Sequence, residues 1–285
     1  MPRLHITPAL LPTLALAALG TLGALRADVA SATAVTLRYG PHERQAIALY
    51  PAVGHANAPL AIFVHGGAWR TGDHQRVRAK PQWFNEAGWA FASVGYRVLP
   101  DAPVEQQARD LATGLRALRR EASARGFDAD RILLLGHSAG AHLAALLASD
   151  ERWLGEDRRA IRGVILLDGA GYDVTSEFGR RGPLARKLYG DAFGADPARQ
   201  RALSPITYVD RGDPADWLLV FAEDRADAVE QADYFGAALR RAGLRVERVP
   251  DPGNHMEINR DFGTPGYRAN DAVRALMVRV AGAAD

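Results

Sequence analysis

The 285-residue chain contains no cysteine. That absence removes disulfides, thiolate nucleophiles, zinc–thiolate centres and iron–sulfur clusters together. An excess of one charge is also lacking. The 35 basic and 33 acidic side chains leave a net charge of +2, too small for the electrostatic footprint of a nucleic-acid binder, and no nucleic-acid partner is expected. Long apolar runs are scarce. The stretch from Ala9 to Leu25 is interrupted by Pro12, Gly20 and Gly23 and is short for a bilayer span of about 20 residues, so no stable membrane span is expected. What is present is an ordinary globular composition, 48% hydrophobic and 24% charged, which excludes a disordered chain.

Arg3 and His5 precede that apolar stretch, and Ala30-Ser31-Ala32 has the small-x-small pattern of a cleavage site. Residues 1–32 therefore read as a secretory signal cut after Ala32, and the protein as exported, periplasmic or secreted. Residues 33–285 remain, a length that α/β folds accommodate as one domain.

Ala34–Tyr39 and Gln45–Tyr50 alternate apolar with polar residues, as half-buried antiparallel strands do. Near-continuous apolar runs follow at Leu60–Val64, Trp89–Tyr96, Arg131–Leu135, Gly163–Asp168, Trp217–Ala222 and Arg245–Val249. Strands buried on both faces belong to a parallel sheet covered by helices. Helical spacing separates them. Val104, Ala108, Leu111, Leu115 and Leu118 share one face, with Asp101 expected as N-cap. Ala228, Ala232, Phe235 and Leu239 share another, stopped at Gly243, and Ala269, Val273, Leu276 and Val280 close the chain. The expected fold class is α/β: one doubly wound, mostly parallel sheet with an antiparallel start. The segment 172–215, rich in Gly, Pro and Arg, is expected to supply loops or a short lid.

Leu133–Leu135 runs into Gly136-His137-Ser138-Ala139-Gly140, and an Ala/Leu-rich helix follows. This is Gly-x-Ser-x-Gly in strand–turn–helix context. The tight turn lifts the serine hydroxyl clear of the sheet, and the helix N-terminus favours developing negative charge. With 28 glycines in 285 residues, both flanking glycines arise by chance at about one serine in a hundred. Ser138 is therefore the candidate nucleophile.

A serine hydroxyl needs a base, and the base needs an orienting carboxylate, following in chain order Ser, acid, His. Of the eight histidines, His255 alone lies far downstream, in the turn-rich run Asp251-Pro-Gly-Asn-His-Met. The acid is sought after the strand Trp217–Ala222, where Glu223, Asp224 and Asp227 stand. Asp224, two residues past the strand, is the favoured candidate and Asp227 its main competitor. Asp168 would serve in a variant arrangement, but reads more simply as a strand-end turn carboxylate. Upstream, His65-Gly66-Gly67-Ala68-Trp69 follows its own strand. Adjacent glycines allow backbone N–H groups to face a substrate, so Gly67, Ala68 and Ala139 are the candidate oxyanion donors and His65 a structural residue. Trp69, Tyr172, Tyr208 and Met256 are candidate walls for an aromatic acyl group.

These residues carry a family resemblance. The chain resembles the α/β-hydrolase esterases of the hormone-sensitive-lipase-like and feruloyl-esterase-like group, near the kynurenine formamidase branch. The likeness covers about Leu37 to Val280. It rests on His65-Gly-Gly-Ala-Trp69 with Gly72-Asp73, Gly95-Tyr-Arg-Val-Leu-Pro100, Asp128-Ala-Asp-Arg-Ile132, Gly136-His-Ser-Ala-Gly-Ala-His-Leu143 and Asn254-His255. The group's acid opens a segment ending in Gln-x-x-x-Phe, which matches Asp224 with Gln231 and Phe235. Departures are Ala68 for a third glycine, Phe221-Ala222 for the usual His-Gly, and Asp101 for a glutamate. The resemblance implies a serine hydrolase acting on small-molecule carboxylic esters without metal or organic cofactor. An arylformamidase is the alternative, though an exported chain suits intracellular tryptophan breakdown poorly. A non-catalytic binding protein on this fold would normally have lost one of the three groups. Nothing in the sequence specifies an oligomeric state.

Overall fold

The computed structural model describes residues 33–177 and 182–282; the expected signal segment, 1–32, lies outside the described residues. In chain order the elements begin with β1 (Val35–Arg38), β2 (Ala46–Tyr50), β3 (Ala58–Val64), α1 (Lys80–Glu86), β4 (Ala90–Val94) and α2 (Val104–Arg125). Next come β5 (Phe127–His137), α3 (Ala139–Ser149), α4 (Glu151–Leu154), β6 (Ile161–Leu167), α5 (Val174–Glu177), α6 (Pro183–Phe193) and α7 (Pro197–Ala202). The chain closes with β7 (Asp216–Ala222), α8 (Ala226–Arg241), β8 (Arg245–Asp251), α9 (His255–Arg260) and α10 (Asn270–Gly282).

The strands form one sheet in the order β1-β2-β4-β3-β5-β6-β7-β8. β1 pairs antiparallel with β2, and β2 with β4; every later pairing is parallel. The expected antiparallel start and parallel body are both present. Successive side chains of a strand point to opposite faces, which explains the apolar runs. In β3, Leu60, Ile62 and Val64 enter one core while Ala61 and Phe63 enter the other. β5, β6 and β7 divide in the same way. The first core is closed by the apolar stripes of α2, α3 and α8, the second by α1, α9 and α10. With both faces covered, only the loops at the strand ends are left to carry polar chemistry.

One expected cap differs. Pro103, in extended backbone, is the N-cap of α2, and Asp101 lies in the turn before it. Proline's fixed φ and missing N–H suit the start of a helix, so the helix begins two residues later than an aspartate cap would place it. The segment 172–215 also differs from a set of loops. It folds into α5, α6, α7 and a 3-10 turn at Pro205–Tyr208, and Val174, Tyr189, Phe193 and Leu203 from it enter the first core.

Because β3, β5, β6 and β8 run parallel, their carboxyl ends share one edge of the sheet. Ligands bind there in open α/β folds. His65-Gly66-Gly67, Ser138, Asp168 and His255 all follow those ends.

Candidate active site

Ser138 stands between β5 and α3 with φ 56° and ψ −121°, a conformation that costs a non-glycine residue about 1–3 kcal/mol and persists only where its surroundings enforce it. They do so here. The Ser138 N–H donates to the Leu167 carbonyl at 3.0 Å, continuing the pairing with β6. A Cβ on Gly136 would sit 2.2 Å from the Gly140 carbonyl oxygen, and one on Gly140 would sit 2.2 Å from the Val64 oxygen. The flanking glycines are needed for close approach of backbone to backbone.

His255 opens α9. Asn254 caps that helix, accepting from the N–H groups of Met256 (3.0 Å) and Glu257 (3.1 Å), while Glu257 accepts from the Asn254 N–H at 3.0 Å. This capping box fixes the helix entry and so the direction of the imidazole. His255 Nε2 lies 3.1 Å from Ser138 Oγ, and Nδ1 lies 2.6 Å from Asp168 Oδ2. With the proton on Nδ1, that nitrogen donates to the carboxylate and Nε2 accepts from the serine hydroxyl.

The favoured candidate, Asp224, is therefore not the carboxylate that meets His255; Asp168 is. Asp224 is exposed in the turn after β7, and no described contact joins it to His255. The reason lies in the sheet order. β6 is the immediate neighbour of β5, so a residue at its carboxyl end is one strand from Ser138, whereas Asp224 lies two residues beyond the more distant β7. At the β7 turn it is Arg225 that faces inward. Its guanidinium pairs with Asp168 and, at 2.8 Å, with Asp227, so the competitor Asp227 is occupied as well. Arg225 Nη1 is also 2.8 Å from His255 Nδ1. Both nitrogens carry protons in the tautomer that frees Nε2, so they share the carboxylate and do not bond to one another.

Asp168 is 0% exposed, and its other oxygen accepts from the Ala222 N–H at 3.0 Å. Burial alone would push the carboxyl up; the hydrogen bonds from His255 and Ala222 and the Arg225 charge outweigh it and hold the group below the ordinary carboxylate value. It stays ionised, as an acceptor for imidazole must.

Of the expected oxyanion donors, Gly67 and Ala68 line the cavity that holds Ser138, and Ala139 follows the serine in the chain. Gly67 adopts φ +128°, where a Cβ would meet the Thr71 carbonyl oxygen at 2.2 Å, and its own carbonyl accepts from Arg70 and Thr71. Among the described residues, the N–H groups of Gly67, Ala68 and Ala139 have no protein acceptor. Gly66, Gly67 and Ala68 line the same cavity as Ser138 and His255, about 690 Å³ in volume. His65 is buried and stacked on Tyr96, ring centroids 4.3 Å apart, while the Tyr96 hydroxyl donates to the His65 carbonyl at 2.7 Å. Burial lowers the imidazole to about 4, so it is neutral and structural, as expected.

The expected pocket walls are only partly right. Trp69 is buried against Tyr189 and Phe193 and donates to His142 Nδ1 at 3.2 Å. His142 Nε2 in turn donates to the Leu203 carbonyl at 2.8 Å, tying the glycine loop to the segment after β6. Tyr172 stacks on Phe235 in the core, and Tyr208 packs beneath Arg152. Of the four, Met256 alone lines the cavity, with Phe63, Leu188 and Asn259.

An eight-stranded sheet of this order with a strained serine at the strand–helix turn is the α/β-hydrolase fold. More specifically, residues 48–163 match the BD-FAE family, in accord with the resemblance to the hormone-sensitive-lipase-like and feruloyl-esterase-like group. The esterase LipC of Mycobacterium tuberculosis is 31% identical over 217 residues, 70% of this chain and 54% of that protein. The kynurenine formamidase of Danio rerio is 28% identical over 155 residues, 53% of this chain and 50% of that protein. The chain thus spans about half the length of these relatives, and 23% of an isoprenylcysteine alpha-carbonyl methylesterase of Arabidopsis thaliana described as probable. Among solved structures, the thermophilic esterase Est2 of Thermogutta terrifontis is similar with a TM-score of 0.69 at 21% identity, covering 87% of this chain and 91% of that one.

Proposed function

We propose that this protein is a serine hydrolase that cleaves small carboxylic esters through an acyl-enzyme. The contact series Ser138–His255–Asp168 carries the reading: 3.1 Å from hydroxyl to Nε2, 2.6 Å from Nδ1 to a buried carboxylate. Ser138 Oγ attacks the acyl carbon as its proton passes to His255 Nε2. The carbonyl oxygen gains the negative charge and is met by the free N–H groups of Gly67, Ala68 and Ala139. As the tetrahedral intermediate collapses, Nε2 returns the proton to the leaving alcohol. Water then repeats the sequence in reverse and releases the acid. Asp168 holds the productive tautomer and stabilises the imidazolium in both halves.

Likeness to a formamidase supports a second reading, hydrolysis of an N-formyl amide at the same serine. The two are separated by a panel of p-nitrophenyl esters of rising chain length, measured beside feruloyl esters and N-formylkynurenine. Short-chain esters should exceed N-formylkynurenine in kcat/KM by at least about tenfold, a difference of about 1.4 kcal/mol in transition-state binding. The reverse order would favour the amidase. Export is proposed on the sequence of residues 1–32. Intact-mass measurement of the protein expressed with its full leader should give a mature chain starting near Thr33; an unprocessed chain confined to the cytoplasm would refute it.

A further inference from the structure

Lys80 is the first residue of α1 and is 0% exposed. Three features of its placement are unfavourable for a cation. It is buried, it stands at the positive end of a helix, and among the described residues no carboxylate lies within salt-bridge distance of it. Its ammonium donates instead to the backbone carbonyl of Asn259 at 2.6 Å. The nitrogen also lies 4.9 Å from the centroid of Phe63 and 5.4 Å from that of Phe262. Phe63 and Asn259 both line the cavity that holds Ser138.

Asn259 is one turn along α9 from His255. Its carbonyl is among the last four of the helix, which have no partner within it and carry the negative end of its dipole. A cation at that carbonyl is the complement of the capping box at the other end. The first turn is secured a second time: His137 Nε2 donates to the His255 carbonyl at 2.9 Å, and His137 directly precedes Ser138. The six-residue helix is thus pinned at its start to the nucleophile's strand and at its end to α1.

We propose that Lys80 is a positioning residue for His255, its ammonium anchoring the far end of the short helix that carries the base. The inference rests on the serine-hydrolase reading above. Lys80 touches neither Ser138 nor His255, so its effect passes through the backbone of α9. A shift of the order of an ångström at the imidazole is enough to cost up to about a hundredfold in turnover.

Burial first and the Arg78 charge second, opposed by Asp261, together lower the Lys80 ammonium to about 7. The other titratable group it faces is His137, which burial, chiefly, together with the His255 and Lys80 charges, keeps neutral. The folded value lies below the 10.5 of a free lysine. Between the two, the unfolded chain holds a proton that the folded chain lacks. The stability cost of this group is therefore full below about 7 and fades as pH rises toward 10.5.

Lys80→Met tests the proposal, because it removes the charge and the donor while keeping the apolar stem. Its kcat on p-nitrophenyl butyrate should fall by about tenfold with KM within about twofold. Its Tm should gain on the wild type as pH is lowered from about 9 to about 6. Lys80→Gln, which keeps an N–H donor on a shorter arm, should retain more kcat than Lys80→Met. A loss of kcat that merely follows a loss of folded protein overturns the proposal, as does a kcat within about twofold of wild type for Lys80→Met. Ser138→Ala, run alongside, keeps the two readings apart. If it is inactive while Lys80→Met is unaffected, the hydrolase reading stands and this inference fails; if it is fully active, the reading beneath the inference fails.

Discussion

Asp168→Asn should lower kcat/KM for a short-chain ester by about 10⁴ while leaving the fold intact. The amide that replaces the carboxylate can donate to His255 Nδ1 and select the tautomer in which Nε2 carries the proton and cannot accept from Ser138. A second loss compounds the first. Arg225 shares Asp168 with His255, and without the carboxylate its guanidinium stands beside an imidazole that must become cationic in the transition state. Asp224→Asn, on an exposed turn, should stay within about tenfold of wild type. Measuring both variants with p-nitrophenyl butyrate, with folding checked by circular dichroism, decides between them. A large loss in Asp224→Asn beside an active Asp168→Asn would reinstate Asp224 as the acid.

The second large effect is at the nucleophile. Ser138→Ala should reduce kcat by about 10⁶, since removing one member of a cooperating set costs nearly as much as removing all of it. Whatever rate survives is what oxyanion donors and binding provide without an attacking hydroxyl. A serine-directed organophosphonate should modify the wild type at Ser138 alone, shown by peptide mapping, and should leave the alanine variant unmodified. Hydrolysis near the wild-type rate in Ser138→Ala, or labelling at another residue, would remove the acyl-enzyme mechanism.

The contrast between Ser138 and Asp168 shows what can be read along a chain. Ser138 announces itself because its requirements are local. A strand, two glycines and a helix all fall within a dozen residues, and the glycines are needed where a Cβ would sit 2.2 Å from neighbouring backbone oxygens. His255 is similarly legible, being the one histidine far enough downstream, beside a residue able to cap a helix. The carboxylate that meets the imidazole has no such local signature. Asp168, Glu223, Asp224 and Asp227 all end strands or begin helices, and short acidic turns of that kind look alike in one dimension. The same applies to the pocket. Trp69 and Tyr172 carry large aromatic surfaces that would suit a wall or a core equally, and the packing of α6 against the glycine loop put Trp69 in the core.

By itself, the sequence determined the alternation of strands and helices, the antiparallel start, the strand–helix turn at Ser138 and the glycine loop, and it singled out His255, because periodicity and tight-turn chemistry act over neighbouring residues. Only the tertiary structure decided which carboxylate faces the imidazole and which residues line the cavity. Strand order is set by which apolar faces bury one another across the whole domain. β6 pairs with β5 although α3, α4 and a 3-10 turn separate them in the chain, and that pairing carries Asp168 to within one strand of Ser138. Lys80 and Asn259 likewise lie 179 residues apart and meet at 2.6 Å, because α1 and α9 bury Phe84 and Ile258 in the same core.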